Sequence, residues 1–120
     1  MAFNEESLRG YSLAVHKRDS FVCCYCGLDG KRSLDNWLAL TRDHLLPPGH
    51  PDRDKEEYIC TACTFCNTAD NHYFEREQKD GSSFTGMTRQ QLIDRRKISV
   101  LRVRKEFRDF WNVHVASVHA

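Results

Sequence analysis

Hydrophobic residues recur with the period of an α-helix over the last third of the chain. The residues that carry this pattern are Ile93, Val100, Val103, Phe107, Phe110, Trp111 and His114. Thr88 followed by Gln91 is a capping-box pattern, in which the two side chains bond each other's backbone N–H groups. The pattern therefore predicts an amphipathic C-terminal helix over residues 88–115.

A second helical pattern lies near the start of the chain. Leu8, Tyr11 and Val15 follow one another at spacings of three and four residues. Acidic residues precede them and basic residues follow, which suits the helix dipole. We expect an N-terminal helix over residues 5–18.

The middle of the chain has the short period of a strand. Leu38 and Leu40 alternate with smaller or polar residues, which predicts a strand over residues 37–46 that the Pro47-Pro48-Gly49 block ends. The other predicted elements are an extended piece over residues 21–27, a loop over residues 49–57, a return strand over residues 58–61 and a helix over residues 64–78. Together these elements predict an α+β fold.

Composition limits the class of protein. The 120 residues are 40% hydrophobic and 29% charged, with a net charge of +1, which is typical of one soluble globular domain over residues 1–120. The longest apolar run, residues 21–26, is far shorter than the roughly 18 residues needed to span a membrane. The acidic start of the chain has no secretory pattern. We expect a cytoplasmic protein of bacterial or phage origin, with no membrane partner.

Positive charge is concentrated in the predicted C-terminal helix. Residues 88–109 hold eight basic and three acidic residues, whereas residues 50–80 are net acidic. Basic side chains on one helix can track a phosphate backbone. The candidate nucleic-acid contacts are Arg42, Arg95, Arg96, Arg102 and Lys105. The alternative is an ordinary solvated face on a packing helix.

Six cysteines form two tight clusters. Cys23 and Cys26 make one C-x-x-C pair, and Cys63 and Cys66 make another. Two such pairs have the spacing of a four-cysteine structural zinc site, although they are also compatible with buried free cysteines. Cys24 and Cys60 fall outside the pairing and are expected to be small buried side chains.

An Asp-His dipeptide lies between the two cysteine pairs. Asp43 and His44 stand near the end of the predicted strand, and Asn67 directly follows the second pair. Carboxylate and amide oxygens suit Mg²⁺ or another divalent ion, and a neutral histidine can act as a general base. Taken singly, Asp43-His44 is also compatible with a surface pair, and Asn67 with a helix cap.

In combination, these motifs resemble the HNH endonucleases, the zinc-knuckle branch of the ββα-metal superfamily. The resemblance runs from residue 18 to about residue 72 and is carried by residues 18–27, residues 41–47 and residues 62–67. It implies a ββα-metal core over residues 18–78, a four-cysteine structural zinc and hydrolysis of phosphodiester bonds. It also implies that His44 is the general base and that Asp43 and Asn67 bind the catalytic ion.

The sequence departs from the family pattern at two positions. Tyr58 stands where the family has an asparagine that braces the loop between the strands, and Asp70 stands where it often has a lysine. Asn71, one turn after Asn67, is a further candidate metal ligand. The expected substrate is DNA rather than RNA. The rival hypotheses are a zinc-stapled nucleic-acid-binding module and a zinc-stapled protein-interaction module, both without catalysis.

Overall fold

The computed structural model describes Leu8, residues 11–79 and residues 84–119, which form a mixed fold of helices and a two-stranded sheet. The elements are α1 (Leu13–Arg18), α2 (Leu34–Leu38), β1 (Leu40–His44), a 3-10 turn (Glu56–Tyr58), β2 (Ile59–Cys63), α3 (Thr64–Thr68), α4 (Tyr73–Lys79) and α5 (Arg89–His114). The predicted combination of helices and a small sheet is therefore observed.

The two strands form an antiparallel pair. Leu40 lies opposite Cys63, and His44 lies opposite Ile59. The predicted first strand was too long at both ends, because residues 37–38 belong to α2 and the pairing stops at His44. The Ser33 side chain caps α2 by accepting a hydrogen bond from the Asn36 N–H at 3.0 Å. That local cap competes with extension of the strand.

The predicted helix over residues 64–78 is two helices, α3 and α4, separated by a turn. Asp70 lies in this turn, where Asp and Asn side chains are favoured. Its carboxylate accepts hydrogen bonds from Arg76 and from the Ser99 hydroxyl. The Arg76 bond holds the pKa of Asp70 down at about 2. Asp70 therefore joins the turn to α4 and α5, which explains why an acidic residue is accommodated there.

The C-terminal helix agrees closely with its prediction. The Thr88–Gln91 capping box is present, and α5 runs from Arg89 to His114. Its predicted apolar face is divided along its length. Leu92, Ile93 and Val100 are buried in the core, whereas Phe107 and Phe110 are about 60% exposed. The first half of α5 therefore packs in the core, whereas the second half is mostly exposed and contacts the body of the fold through Arg104 at Cys66 and Phe107 at the Phe65 ring.

The N-terminal helix is shorter than predicted. Within the described residues it occupies only Leu13–Arg18, and Ser12 makes no side-chain cap. Much of the predicted range, including residues 5–7 and 9–10, lies outside the described residues. No helix in the described part of the chain combines the length and the apolar character needed to cross a membrane.

Two buried polar side chains anchor α1 to β2. His16 is 2% exposed, and its Nδ1 lies 2.7 Å from the Thr61 hydroxyl. The Asp19 carboxylate accepts the Thr61 N–H at 2.8 Å and pairs with Arg18 and Arg89. Although burial opposes ionisation, the hydrogen bonds from Arg18 and Thr61 keep the pKa of Asp19 below its ordinary value. These bonds hold the C-terminal end of α1 against Thr61 of β2.

We predict that His16 makes folding sensitive to mild acid. Burial lowers the pKa of His16 below that of a free imidazole, so the unfolded chain binds its proton more readily than the folded chain does. This contribution to stability is complete above the unfolded pKa of about 6.5 and is lost as the pH falls towards the folded pKa. In melting curves from pH 7.5 to 5, the advantage of wild type over His16→Asn should shrink. Parallel curves for wild type and His16→Asn across this range would contradict the prediction.

Candidate functional site

Four cysteines meet at one point in the fold. Ligand atoms of Cys23, Cys26, Cys63 and Cys66 all lie within 4.8 Å of one another, and the Cys26 and Cys63 sulfurs are 3.8 Å apart. Within the described residues, this is the group of His, Cys, Asp and Glu side chains placed to hold a metal ion. The expected pairing of the two C-x-x-C motifs is therefore confirmed as a metal-compatible cluster.

Local backbone geometry builds each half of the cluster. In the first half, the Gly27 N–H bonds the Cys23 carbonyl at 3.1 Å, and Gly27 has a φ of +80° that favours glycine. In the second half, Cys63 ends β2 and caps α3, and its sulfur accepts the Cys66 N–H at 3.5 Å. A tight turn and a strand-to-helix junction thus present two thiols each.

The cluster fits a tetrahedral thiolate-bound ion. Zinc–sulfur bonds of about 2.3 Å in a tetrahedron place the sulfurs about 3.8 Å apart, which matches the distance between Cys26 and Cys63. Hydrogen bonds from the Cys63 and Cys66 thiols lower the pKa of Cys23. Arg104 directs Nη1 at the Cys66 sulfur, 3.8 Å away, which would offset part of the thiolate charge.

The other two cysteines lie outside this cluster. Cys60 is fully buried, and its sulfur lies 3.7 Å from the Tyr25 hydroxyl. Cys24 is half-buried, and its N–H bonds the Thr61 carbonyl at 2.9 Å. The interpretation of Cys60 as a small buried side chain agrees with its position, whereas Cys24 is only partly enclosed.

His44 presents an imidazole at the end of β1. Its side chain is a quarter exposed, and its Nε2 lies 3.2 Å from the Asp54 carboxylate in the loop that follows. Burial and the nearby positive charge of Arg53 lower the pKa of His44, against the opposing effect of Asp54. The imidazole is therefore neutral at pH 7 and can accept a proton.

Asp43, the neighbour of His44, is enclosed instead. Successive side chains of a strand point to opposite faces, and Asp43 is only 2% exposed. Its Oδ2 accepts the Tyr25 hydroxyl at 2.6 Å, and its Oδ1 lies 3.1 Å from Nη1 of Arg96. Burial raises the pKa of Asp43 to about 6, although Arg96 and Tyr25 favour the ionised form.

Asn67 lies beside β1 and braces it. Its amide donates to the Thr41 hydroxyl at 2.9 Å and to the Arg42 carbonyl at 3.1 Å. Both donations come from Nδ2, which leaves Oδ1 as the acceptor atom of the amide. Asn71 is exposed in the turn after α3, and its role as a metal ligand stays a prediction.

These positions do not fit a divalent ion as they stand. A magnesium ligand must offer an oxygen lone pair to the ion, but both carboxylate oxygens of Asp43 already have partners and the side chain is closed to solvent. The expectation of a catalytic ion between Asp43 and Asn67 therefore stays a prediction.

The predicted nucleic-acid contacts fall in two groups. Arg42, Arg102 and Lys105 are exposed, with Lys105 paired to Asp109 at 2.9 Å. Arg95 is about three-quarters buried and pairs with Glu77 at 3.1 Å, and Arg96 is buried against Asp43. The assignment of Arg96 to phosphate tracking is therefore corrected, because its charge is committed to a buried carboxylate.

Two residues of the site, Tyr25 and Arg18, were not predicted from the sequence, and Arg96 was predicted in another role. Tyr25 and Arg96 enclose Asp43, and Arg18 braces the loop between the strands by donating to the carbonyl oxygens of Glu56 at 2.8 Å and Ile59 at 2.5 Å. Arg18 therefore holds the chain on both sides of Tyr58, at the end of the loop between the strands. Tyr25 lies inside the first C-x-x-C pair, between Cys23 and Cys26, and this position was the one sequence signal that its side chain is buried.

Comparisons with known proteins leave the chain without an assigned relative. No family model, no curated protein and no solved structure matches it. Interpretation of the site therefore depends on its own geometry and on the motif resemblance.

We predict that Cys63→Ser removes bound metal and destabilises the fold. The substitution takes one sulfur from the cluster at the junction that begins α3, and metal affinity is directly coupled to folding in such sites. Elemental analysis and thermal melting of protein purified in the presence of zinc measure both effects. Cys24→Ser is the matched control, since it removes an adjacent sulfur outside the cluster. Equal metal content and melting temperature in Cys63→Ser and Cys24→Ser would refute the four-sulfur site.

Proposed function

We propose that this protein is an HNH-type endonuclease that hydrolyses phosphodiester bonds of DNA, with His44 as the general base. The observation that carries the proposal is the neutral, partly exposed imidazole of His44 at the end of a strand fixed by the cysteine cluster. The motif order around it resembles the zinc-knuckle HNH enzymes, and the β1–β2–α3 succession is the order expected of a ββα-metal core.

In this proposal the four cysteines hold a structural zinc ion. Zinc suits four thiolates, has no redox chemistry of its own and contributes folding energy directly. The register places Cys63 opposite Leu40 at one end of the sheet, while His44 lies at the other end. Zinc would thus fix the hairpin from the end away from the proposed base and would take no part in the reaction.

His44 would accept a proton from the water that attacks phosphorus. Its Nε2 faces the Asp54 carboxylate, so Nδ1 is the nitrogen that would accept the proton. A carboxylate on the opposite nitrogen orients an imidazole and stabilises its protonated form. Burial, and after it the positive charge of Arg53, lower the pKa of His44 and so favour the unprotonated imidazole before the reaction.

Basic side chains around His44 would bind the substrate phosphate. Arg42 lies two residues earlier on β1 and therefore shares a strand face with His44, and it is exposed. Its charge and that of Arg53 both act on the imidazole. An arginine pair beside a general base can hold a phosphate and stabilise the charge that develops on it.

The exposed half of α5 extends the basic surface. Arg102 and Lys105 lie on this half, where few residues are buried. They would contact phosphates of the backbone rather than base edges, and such contacts position a nucleic acid without specifying sequence.

One observation favours the alternative of a zinc-stapled module without catalysis. The carboxylate of Asp43 is closed off by Arg96 and Tyr25, whereas a metal-dependent nuclease needs that oxygen for its ion. A binding module needs only the cysteine cluster and the basic residues. Cleavage of DNA by the purified protein distinguishes the two functions.

We predict that His44→Ala abolishes plasmid nicking while leaving folding and zinc content intact. Removal of a general base lowers the rate by roughly 10²–10⁴-fold, and the side chain of His44 is not part of the buried core. Nicking is measured with and without added Mg²⁺, and zinc by elemental analysis of the same preparations. His72→Ala is the control, because His72 is an exposed histidine that pairs with Glu75 at 3.3 Å and lies outside the proposed site.

Cleavage at the wild-type rate by His44→Ala would overturn the assignment of the base. Absence of cleavage by wild type in every divalent ion tested, together with retained DNA binding, would support the binding module instead.

A further inference from the structure

Arg96 is a buried cation that touches three parts of the candidate site. Its Nη1 lies 3.1 Å from Oδ1 of Asp43 and donates to the His44 carbonyl at 3.2 Å, while Nη2 donates to the Asn67 carbonyl at 3.2 Å. The residue is 5% exposed. One guanidinium from α5 therefore bridges the end of β1 and helix α3.

The surroundings of Arg96 hold its charge in place. Its guanidinium carbon lies 5.4 Å from the centre of the Tyr73 ring and 5.3 Å from that of Phe74, which is a favourable cation–π distance. Its Nε is buried without a hydrogen-bond partner among the described residues. The guanidinium is thus held through its two terminal nitrogens, whose partners are oxygen atoms of Asp43, His44 and Asn67.

The oxygens around Arg96 are of the kind that bind a hard divalent ion. A carboxylate oxygen and backbone carbonyls are ordinary ligands of such ions, and the Asn67 side chain keeps Oδ1 as an acceptor because Nδ2 makes both of its bonds. A guanidinium and a dication cannot share one buried carboxylate oxygen, because their mutual repulsion is strong at short range in a low dielectric.

We propose that Arg96 and a divalent cation compete for Asp43, so that Arg96 excludes the ion from this carboxylate. This inference rests on the proposed function, since it concerns the ion that an HNH-type site would use. It explains why the expected donors are present while the carboxylate is closed. The apparent affinity for an ion is lowered because the ion can bind only the fraction of molecules in which Arg96 does not occupy Asp43.

Binding of Mn²⁺ to the full-length, zinc-loaded protein tests the competition directly. Free Mn²⁺ is measured by electron paramagnetic resonance without nucleic acid, for wild type, Arg96→Gln and Arg76→Gln. Arg96→Gln should bind one Mn²⁺ at least tenfold more tightly than wild type. Arg76→Gln is the matched control, because it also removes an arginine from an Asp partner, which is Asp70 rather than Asp43; its affinity should equal that of wild type.

Two further variants keep the test decisive if Arg96→Gln folds poorly. Arg96→Lys keeps the positive charge but has one donor group in place of a fork, and it should bind Mn²⁺ with an affinity between those of wild type and Arg96→Gln. The double variant Arg96→Gln, Asp43→Asn removes both charges of the buried pair, and it should fold but lose the gained Mn²⁺ binding. A purely structural role for Arg96 would lower the melting temperature without tightening Mn²⁺ binding.

The outcomes separate this inference from the proposed function. Unchanged Mn²⁺ affinity in Arg96→Gln and Arg96→Lys overturns the competition, even if wild type cleaves DNA. Gained affinity that Asp43→Asn abolishes supports the competition, even if no variant cleaves DNA. A gain that persists in the double variant places the ion elsewhere and also overturns it.

Discussion

The meeting of four thiols is the constraint on which the rest of the structure depends. Three of the four cysteines are core residues in their own right, so the sulfur cluster is part of the small apolar interior. Four thiols this close repel one another once ionised, and one soft cation converts that repulsion into a cross-link. A cation bound there would tie the turn after Val22 to the junction of β2 and α3. Cys63 pairs with Leu40 of β1 and also caps α3, so the cluster lies at the junction of the sheet that carries His44 and the helix that carries Asn67.

A buried ion pair adds a second constraint at the opposite end of the sheet. Asp43, Arg96 and Tyr25 come from a strand, the long helix and the first cysteine turn. Burying two charges is costly, so such a pair is weak evidence for net stability, but loss of one partner leaves the other unpaired and is strongly destabilising. The pair therefore specifies how α5 packs on β1. Because Arg96 of α5 is buried against Asp43, the basic residues of α5 fall into two groups. Arg96 stabilises the packing of the helix, whereas Arg102 and Lys105 are exposed.

Patterns confined to one element were readable in the sequence, whereas contacts between distant elements were not. The capping box at Thr88, the extent of α5 and the grouping of the cysteines follow from spacing alone. The start of β1 was misplaced because the Ser33 cap outweighed the alternation of Leu38 and Leu40. The sequence predicts that Arg96 is a surface charge, because nothing in the adjacent sequence distinguishes it from Arg95 or Lys97. Only the fold brings it to Asp43, 53 residues earlier in the chain.

The strand geometry separates the two charged groups that adjoin in sequence. Asp43 faces the interior and is neutralised by Arg96, whereas His44 faces outward among Arg42, Arg53 and Asp54. A carboxylate already paired with a cation contributes little field to its neighbour, so Asp43 does not favour protonation of His44. The imidazole of His44 is therefore neutral because burial and the charge of Arg53 disfavour its protonation, while the adjacent carboxylate of Asp43 is already paired with Arg96.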